Sequence, residues 1–82
     1  MSSDSLVPIL VTGGAGYVGA HACKTLASRG FLPIVYDNLV HGHEATVKWG
    51  PLEVGDIADR AALDAVIVRH RPVAVMHFAA FT

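Results

Sequence analysis

Residues 6–19 read LVPILVTGGAGYVG, so an apolar run passes directly into four closely spaced glycines. The run Leu6–Thr12 is rich in Val, Ile and Leu and lacks polar alternation, which predicts a strand buried on both faces. Beyond the glycines, apolar residues recur at every fourth position from Val18 to Leu26, which predicts a helix over about Gly16–Arg29. A strand, a glycine-rich turn and a helix in this order indicate the start of a β-α-β unit.

The rest of the chain continues the alternation of strands and helices. A helix is predicted between Asp59, which can cap its start, and Pro72, which stops it. The segment Glu44–Trp49 forms at most a short helix. Strands that alternate with helices indicate an α/β fold with a parallel sheet. The three further predicted strands are Leu32–Tyr36, Leu52–Val54 and a buried Val73–Phe78.

The glycines match two overlapping nucleotide-binding patterns, both of which end at Gly16 and Gly19. Gly14 starts a G-x-G-x-x-G pattern and Gly13 a G-x-x-G-x-x-G pattern. At a strand-to-helix turn, the free backbone N–H groups and the positive end of the helix dipole can receive a pyrophosphate. Asp37 falls 18 positions after Gly19, at the end of the second strand, where an acid accepts hydrogen bonds from ribose hydroxyls. Two simpler interpretations are that the glycines only allow the helix to pack tightly on the strand and that Asp37 is a solvated turn residue. Neither explains why the glycines and Asp37 occur together at this spacing.

Asp56 and Ile57 follow the third predicted strand, at the same edge of the sheet as Asp37. Ligands of open α/β sheets bind at the carboxyl ends of the strands. Two interpretations of Asp56 therefore stay open, an adenine contact and the mere start of a turn.

The charge balance argues against nucleic acid and anionic membranes as partners, since six Lys and Arg stand against seven Asp and Glu. No apolar run approaches the ~20 residues that cross a bilayer. The one cysteine, Cys23, cannot form an internal disulfide and is interpreted as a packing residue. A reducing compartment fits best, and the polar start lacks the basic residues of a signal peptide, so we expect a cytoplasmic protein.

The five histidines raise the question of a metal site. The closest pair is His41 and His43, but no thiol or carboxylate cluster surrounds them, so we interpret them as surface residues and expect no metal. His77 lies in the apolar fourth strand, and we predict that it is a hydrogen-bonded core histidine.

Four segments together resemble the extended short-chain dehydrogenase/reductases. The resemblance runs from about residue 7 to residue 82, nearly the whole chain but only about the first quarter of such an enzyme. It implies that residues 1–82 are a partial NAD-binding Rossmann domain, its N-terminal half, with about four parallel strands in the order 3-2-1-4. The segments are residues 11–19, residues 37–43 (Asp-Asn-Leu, then Gly-His), residues 55–57 (Gly-Asp-Ile) and residues 77–80 (His-Phe-Ala-Ala).

The resemblance also assigns roles to individual residues by position. Thr82 stands where the family often has a lysine that contacts the cofactor. The implied NAD contacts are Gly13, Gly16, Tyr17 and Val18, with Gly19 completing the motif, at the pyrophosphate; Asp37 and Asn38 at the adenosine ribose; Asp56 and Ile57 at the adenine; and Phe78, Ala79 and Ala80 along the cofactor groove.

Within this family the chain looks most like the enzymes that epimerise UDP-hexoses by transient hydride transfer to NAD. The full-length enzyme is then expected to bind a UDP-hexose and to form a homodimer. Its base is a tyrosine in a Y-x-x-x-K element, but Tyr17 and Tyr36 are followed four residues later by His21 and Val40. We therefore expect the 82 residues alone to be inactive. A nucleotide-sugar dehydratase or decarboxylase, or a non-catalytic dinucleotide-binding module, remains an alternative.

Overall fold

A computed structural model describes residues 6–79 as four strands, two α-helices and one 3-10 turn. The elements agree with the sequence prediction to within one or two residues, except that the short helix shrinks to a 3-10 turn. Their bounds are β1 Val7–Thr12, α1 Tyr17–Ser28, β2 Phe31–Asp37, the 3-10 turn Glu44–Thr46, β3 Leu52–Val54, α2 Arg60–His70 and β4 Ala74–His77.

The four strands form one parallel sheet in the order β3-β2-β1-β4, which confirms the predicted order. β1 lies between β2 and β4 in the sheet. Its Val11 is paired with Val35 of β2 on one side and with Met76 of β4 on the other. The carboxyl ends of β1, β2 and β4 therefore meet at one edge, followed by the glycine turn, Asn38 and Phe78.

The two faces of the sheet carry separate apolar cores. On the first face, Val11 and Val35 pack with Cys23 of α1. On the opposite face, Leu10 and Ile34 pack with Val66 of α2. Cys23 is buried, as its interpretation as a packing residue requires, and burial raises the pKa of its thiol to about 11.

Helix ends follow the sequence signals. Gly30, just beyond α1, has a φ of +87°, in the left-handed region that favours glycine. At the start of α2, the Asp59 carboxylate accepts a hydrogen bond from Ala62 N at 3.1 Å, which satisfies one of the free N–H groups there. No helix within residues 6–79 is long and apolar enough to span a bilayer.

The prediction that the fourth strand is buried is wrong. Three of the four residues of β4 are exposed, and Val75 is 54% exposed. β4 is an edge strand, and it pairs with β1 on one side only. An apolar run predicts a strand, but its burial depends on what packs beside it.

Candidate functional site

A cleft of about 360 Å³ opens at the carboxyl edge of the sheet, where the predicted binding residues converge. Eight of the twelve predicted contacts line it. The remaining lining residues were not predicted as contacts. The predicted ones are Gly13, Gly16, Asp37, Asn38, Asp56, Ile57, Phe78 and Ala79, and the further ones are Tyr36, Val40, His41, Gly42 and Gly55.

Gly13 forms the floor of the cleft directly after β1. Its φ is +73°, and a Cβ built at this position would lie 2.6 Å from Ala79 N and 2.8 Å from Phe78 C. The turn is fixed by a hydrogen bond from Gly13 N to Tyr36 O at 2.9 Å. Glycine is therefore required here both by conformation and by the close approach of the backbone after β4.

The start of α1 faces the cleft without a side-chain cap. Gly16 is the N-cap residue, and the first turn carries no acidic side chain. The first N–H groups of an α-helix have no intrahelical acceptor, so this end of α1 offers donors and the positive end of the dipole to an anion. The side chains of Tyr17, which is 91% exposed, and Val18 point to solvent, while Gly19 is buried in α1. Tyr17, Val18 and Gly19 are thus predicted contacts that do not line the cleft.

Asp37 ends β2 and is only 8% exposed. Its Oδ2 accepts a hydrogen bond from Ala15 N at 3.0 Å, and its Oδ1 accepts one from Leu39 N at 2.7 Å. A carboxylate offers about four acceptor positions, so about two remain for hydroxyl groups in the cleft. Asn38 beside it is exposed, and its side-chain oxygen accepts from Val40 N at 2.9 Å.

The loop after β2 folds back onto the glycine-rich turn, a feature that the sequence analysis missed. Ala15 O accepts hydrogen bonds from His43 N at 3.2 Å and from the Thr46 hydroxyl at 2.8 Å. Together with the bond from Ala15 N to Asp37, these contacts hold the Ala15 residue from both sides. The sequence offered one signal of this contact, the glycine at position 42. A Cβ there would lie 2.8 Å from Ala15 Cβ, so the close approach of the loop requires glycine.

The turn after β3 forms the adenine side of the predicted site. Asp56 is exposed and its Oδ1 accepts from Ala58 N at 2.8 Å, while Ile57 is half-buried. The structure thus shows that Asp56 does organise a turn, and that the turn also lines the cleft.

Tyr36 connects β2 to this turn, because its buried hydroxyl donates to Asp56 O at 2.7 Å. Burial, followed by the charges of Asp59 and Asp56, raises the pKa of Tyr36. The phenol therefore stays protonated and able to donate at neutral pH.

The backbone after β4 closes the far side of the cleft. Phe78 N donates to Thr12 O at 2.8 Å, and Phe78 and Ala79 are half-buried. Ala80, the last predicted contact, lies outside the described residues. His77 is hydrogen-bonded as predicted, through Nδ1 to the Thr12 hydroxyl at 2.6 Å. It is exposed at the sheet edge, however, so its placement in the core was wrong.

Within residues 6–79 no group of three or more His, Cys, Asp or Glu side chains lies close enough to hold a metal ion. His41 and His43 are both exposed, on the loop after β2. His41 lines the cleft and His43 contributes its backbone N–H to the contact with Ala15.

Comparison with known proteins gives consistent matches. The model of the NAD dependent epimerase/dehydratase family matches residues 9–82. UDP-glucose 4-epimerase of Rhizobium meliloti (strain 1021) is 62% identical over 72 residues, which cover 88% of this chain and 22% of the relative. That of Rhizobium leguminosarum bv. trifolii is 56% identical with the same coverage. The chain thus spans less than a quarter of the length of these relatives.

Solved structures agree in fold. UDP-glucose 4-epimerase from Brucella ovis in complex with NAD superposes with a TM-score of 0.90 at 49% identity, covering 93% of this chain and 23% of that one. The Thermus thermophilus UDP-glucose 4-epimerase complex with NAD gives a TM-score of 0.87 at 36% identity, covering 93% of this chain and 25% of that one.

Proposed function

Since this chain belongs to the NAD dependent epimerase/dehydratase family, we propose that it is the NAD-binding portion of an enzyme that interconverts UDP-glucose and UDP-galactose. The relatives named UDP-glucose 4-epimerase support this reaction. Because the chain covers less than a quarter of their length, the reaction, the UDP-hexose substrate and a homodimeric state are all parts of the proposal.

One observation carries the assignment of the cofactor. A glycine turn that no other side chain fits, an uncapped helix start and the carboxylate of Asp37 face a single cleft. These are the groups that a dinucleotide requires: close backbone approach and N–H donors for the pyrophosphate, and an acceptor for the ribose hydroxyls. The residues present therefore fit NAD.

The roles proposed for the chain's residues come from the family resemblance, and the eight of these residues that line the cleft support them. The backbone of Gly13, Gly16, Tyr17 and Val18 binds the pyrophosphate, with Gly19 allowing α1 to pack close to the turn. Asp37 and Asn38 hold the adenosine ribose, Asp56 and Ile57 flank the adenine, and Phe78, Ala79 and Ala80 line the groove towards the nicotinamide.

Held by the glycine-rich turn, Asp37 and Asn38, NAD would supply the acceptor for a hydride from C4 of the sugar and the donor for its return to the opposite face. The residues of this chain would bind the cofactor and orient it for that exchange. The proton at the sugar hydroxyl needs a general base, which the resemblance places in a Y-x-x-x-K element. The 82 residues contain no such element, so we propose that the base lies elsewhere in the enzyme.

Two alternatives differ in measurable ways. A nucleotide-sugar dehydratase or decarboxylase shares the cofactor site but releases water or carbon dioxide from the sugar. A non-catalytic module binds the dinucleotide without turnover. A cytoplasmic location, expected from the single cysteine, the polar start and the shortness of the apolar runs, stays a prediction.

The test uses the full-length protein. Titration calorimetry should show NAD binding, and UDP-galactose should yield UDP-glucose in an assay coupled to UDP-glucose oxidation. Gly13→Ala should abolish both, because the new Cβ meets the backbone of Ala79 and Phe78. Ala61→Val, which also adds methyl groups but at an exposed position of α2, should abolish neither. NAD binding without turnover would favour the module, and a 4-keto-6-deoxy or decarboxylated product would favour the other enzymes.

A further inference from the structure

One of the polar links at the cleft is made by a buried residue to which the cofactor assignment gives no role. Tyr36 is 1% exposed, yet it lines the cleft, and its hydroxyl donates to the carbonyl oxygen of Asp56 at 2.7 Å. Gly55 crosses the ring so closely that a Cβ there would lie 2.7 Å from Tyr36 Cζ. The phenol and the backbone of the Asp56 turn are therefore fitted to each other.

The Asp56 turn is organised around the same carbonyl group. Asp56 O also accepts from Asp59 N at 2.9 Å, while Asp56 Oδ1 accepts from Ala58 N at 2.8 Å. These two bonds set the shape of the turn but do not reach the sheet. The bond from Tyr36, with that from Gly55 N to Asp37 O at 3.0 Å, joins the turn to β2.

We infer that Tyr36 is a positioning residue whose hydroxyl holds the Asp56–Ile57 peptide against β2, so that the cleft selects adenine over other purines. The inference rests on the proposed function, which places adenine beside Asp56 and Ile57. Adenine presents an amino donor and a ring-nitrogen acceptor on one edge, which matches a carboxylate acceptor next to a backbone N–H donor. Hypoxanthine presents the reverse pattern, so it leaves both protein groups unpaired.

Discrimination of this kind requires a fixed peptide. A turn that can rotate away from β2 offers its donor and acceptor in several orientations. It then pairs weakly with both adenine and hypoxanthine and distinguishes less well between them. Removing the Tyr36 hydroxyl also leaves the Asp56 carbonyl with one partner fewer beside a buried ring. Loss of one such hydrogen bond corresponds to an affinity change of about two- to tenfold.

The experiment compares Tyr36→Phe with the unmutated full-length protein, because this change removes the hydroxyl and keeps the ring. Calorimetry gives the affinities for NAD and for nicotinamide hypoxanthine dinucleotide. We expect the unmutated protein to prefer NAD, and the variant to lose about two- to tenfold of that preference. The matched control is Ser28→Ala, which removes an exposed hydroxyl that donates to Thr25 O at 2.7 Å on α1 and should leave the preference unchanged.

A second readout follows the turn itself. Amide hydrogen exchange over residues 55–59 should become faster in Tyr36→Phe, while exchange in α1 stays the same. The ratio of the two affinities does not depend on the fraction of protein that is folded, so partial unfolding of the variant does not obscure it.

The outcomes separate the two proposals. NAD binding with an unchanged preference for adenine would overturn the role of Tyr36, and so would equal losses for both dinucleotides, which a merely structural residue produces. Failure of the unmutated protein to bind NAD would instead overturn the proposed function from which this inference starts.

Discussion

The carboxylate of Asp37 is hydrogen-bonded to the backbone N–H of Ala15, with 3.0 Å between Oδ2 and N. The residue that ends β2 therefore also fixes the glycine-rich turn that follows β1. This contact ties the predicted ribose site to the predicted pyrophosphate site.

The first prediction is that the full-length protein binds NAD more tightly than NADP. A 2′-phosphate would meet the charge of Asp37, and two charges about 4 Å apart repel by roughly 1 to 4 kcal/mol, depending on how wet the site is. The nearest Lys or Arg after Asp37 in the sequence is Lys48, so no permanently charged side chain follows closely to receive the phosphate. Calorimetry with both cofactors measures the difference, and equal or tighter binding of NADP would refute the role given to Asp37.

Asp37→Ala should weaken NAD binding and reduce the difference in affinity between NAD and NADP. Because Asp37 also holds Ala15, the variant should further speed amide exchange in the glycine-rich turn without any cofactor. Asp64→Ala is the control, since it removes a carboxylate from the exposed Arg60 ion pair on α2. If exchange at Ala15 stays unchanged in Asp37→Ala, the structural part of this role is wrong.

Continuous apolar runs and glycine spacing are local signals, and they predicted the strands, the glycine-rich turn and the place of Asp37. The strand order and the other cleft residues were implied by the family resemblance. The contacts that hold the cleft together are not local. Thr46 reaches Ala15 from 31 positions away and Tyr36 reaches Asp56 from 20, and no periodicity indicates either. The burial of β4 and His77 was misjudged although the predicted order 3-2-1-4 already placed this strand at an edge, because its apolar run by itself indicated burial.

A second prediction concerns the 82 residues as an isolated polypeptide, which should not interconvert UDP-glucose and UDP-galactose. Epimerisation needs a general base and a positioned nicotinamide, and the sequence holds no Y-x-x-x-K element. The coupled assay with added NAD measures this interconversion. Turnover above the background without protein, abolished by Tyr17→Phe or Tyr36→Phe, would show that one of these tyrosines is catalytic.

A third prediction is that the same polypeptide associates or forms a molten state. Val75 on the edge strand β4 and Val68 on α2 are 54% and 70% exposed, and an unpaired apolar edge invites pairing with another chain. Light scattering should show species larger than a monomer, and Val75→Lys should reduce them. Ala61→Lys adds the same charge at an exposed site of α2 and should not. A sharp monomer peak, a cooperative thermal transition and no binding of a dye that detects exposed apolar surface would show that the polypeptide folds stably as a monomer.

The last prediction concerns acid, and it starts from Glu53 on β3. Its Oε2 accepts hydrogen bonds from His70 Nε2 at 2.6 Å and Arg69 Nη1 at 2.5 Å, which joins β3 to the end of α2. These two hydrogen bonds, that of His70 first, lower the pKa of Glu53 below its ordinary value of 4.5. A carboxyl group whose pKa is lowered by folding contributes stability above the pKa of the unfolded chain, and that contribution is lost as the pH falls through the lowered value.

Glu53→Gln should therefore reduce the free energy of unfolding at pH 7 by about 0.5 to 1 kcal/mol, the upper range for a partly exposed ion pair. The difference between variant and unmutated protein should begin to shrink below about pH 4.5 and vanish under more acidic conditions, where both side chains are neutral. Urea unfolding of the full-length protein at a series of pH values measures this difference. Glu44→Gln, at an exposed glutamate of the 3-10 turn, is the control. A difference that persists unchanged at pH 3 would show that the charge of Glu53 does not join β3 to α2.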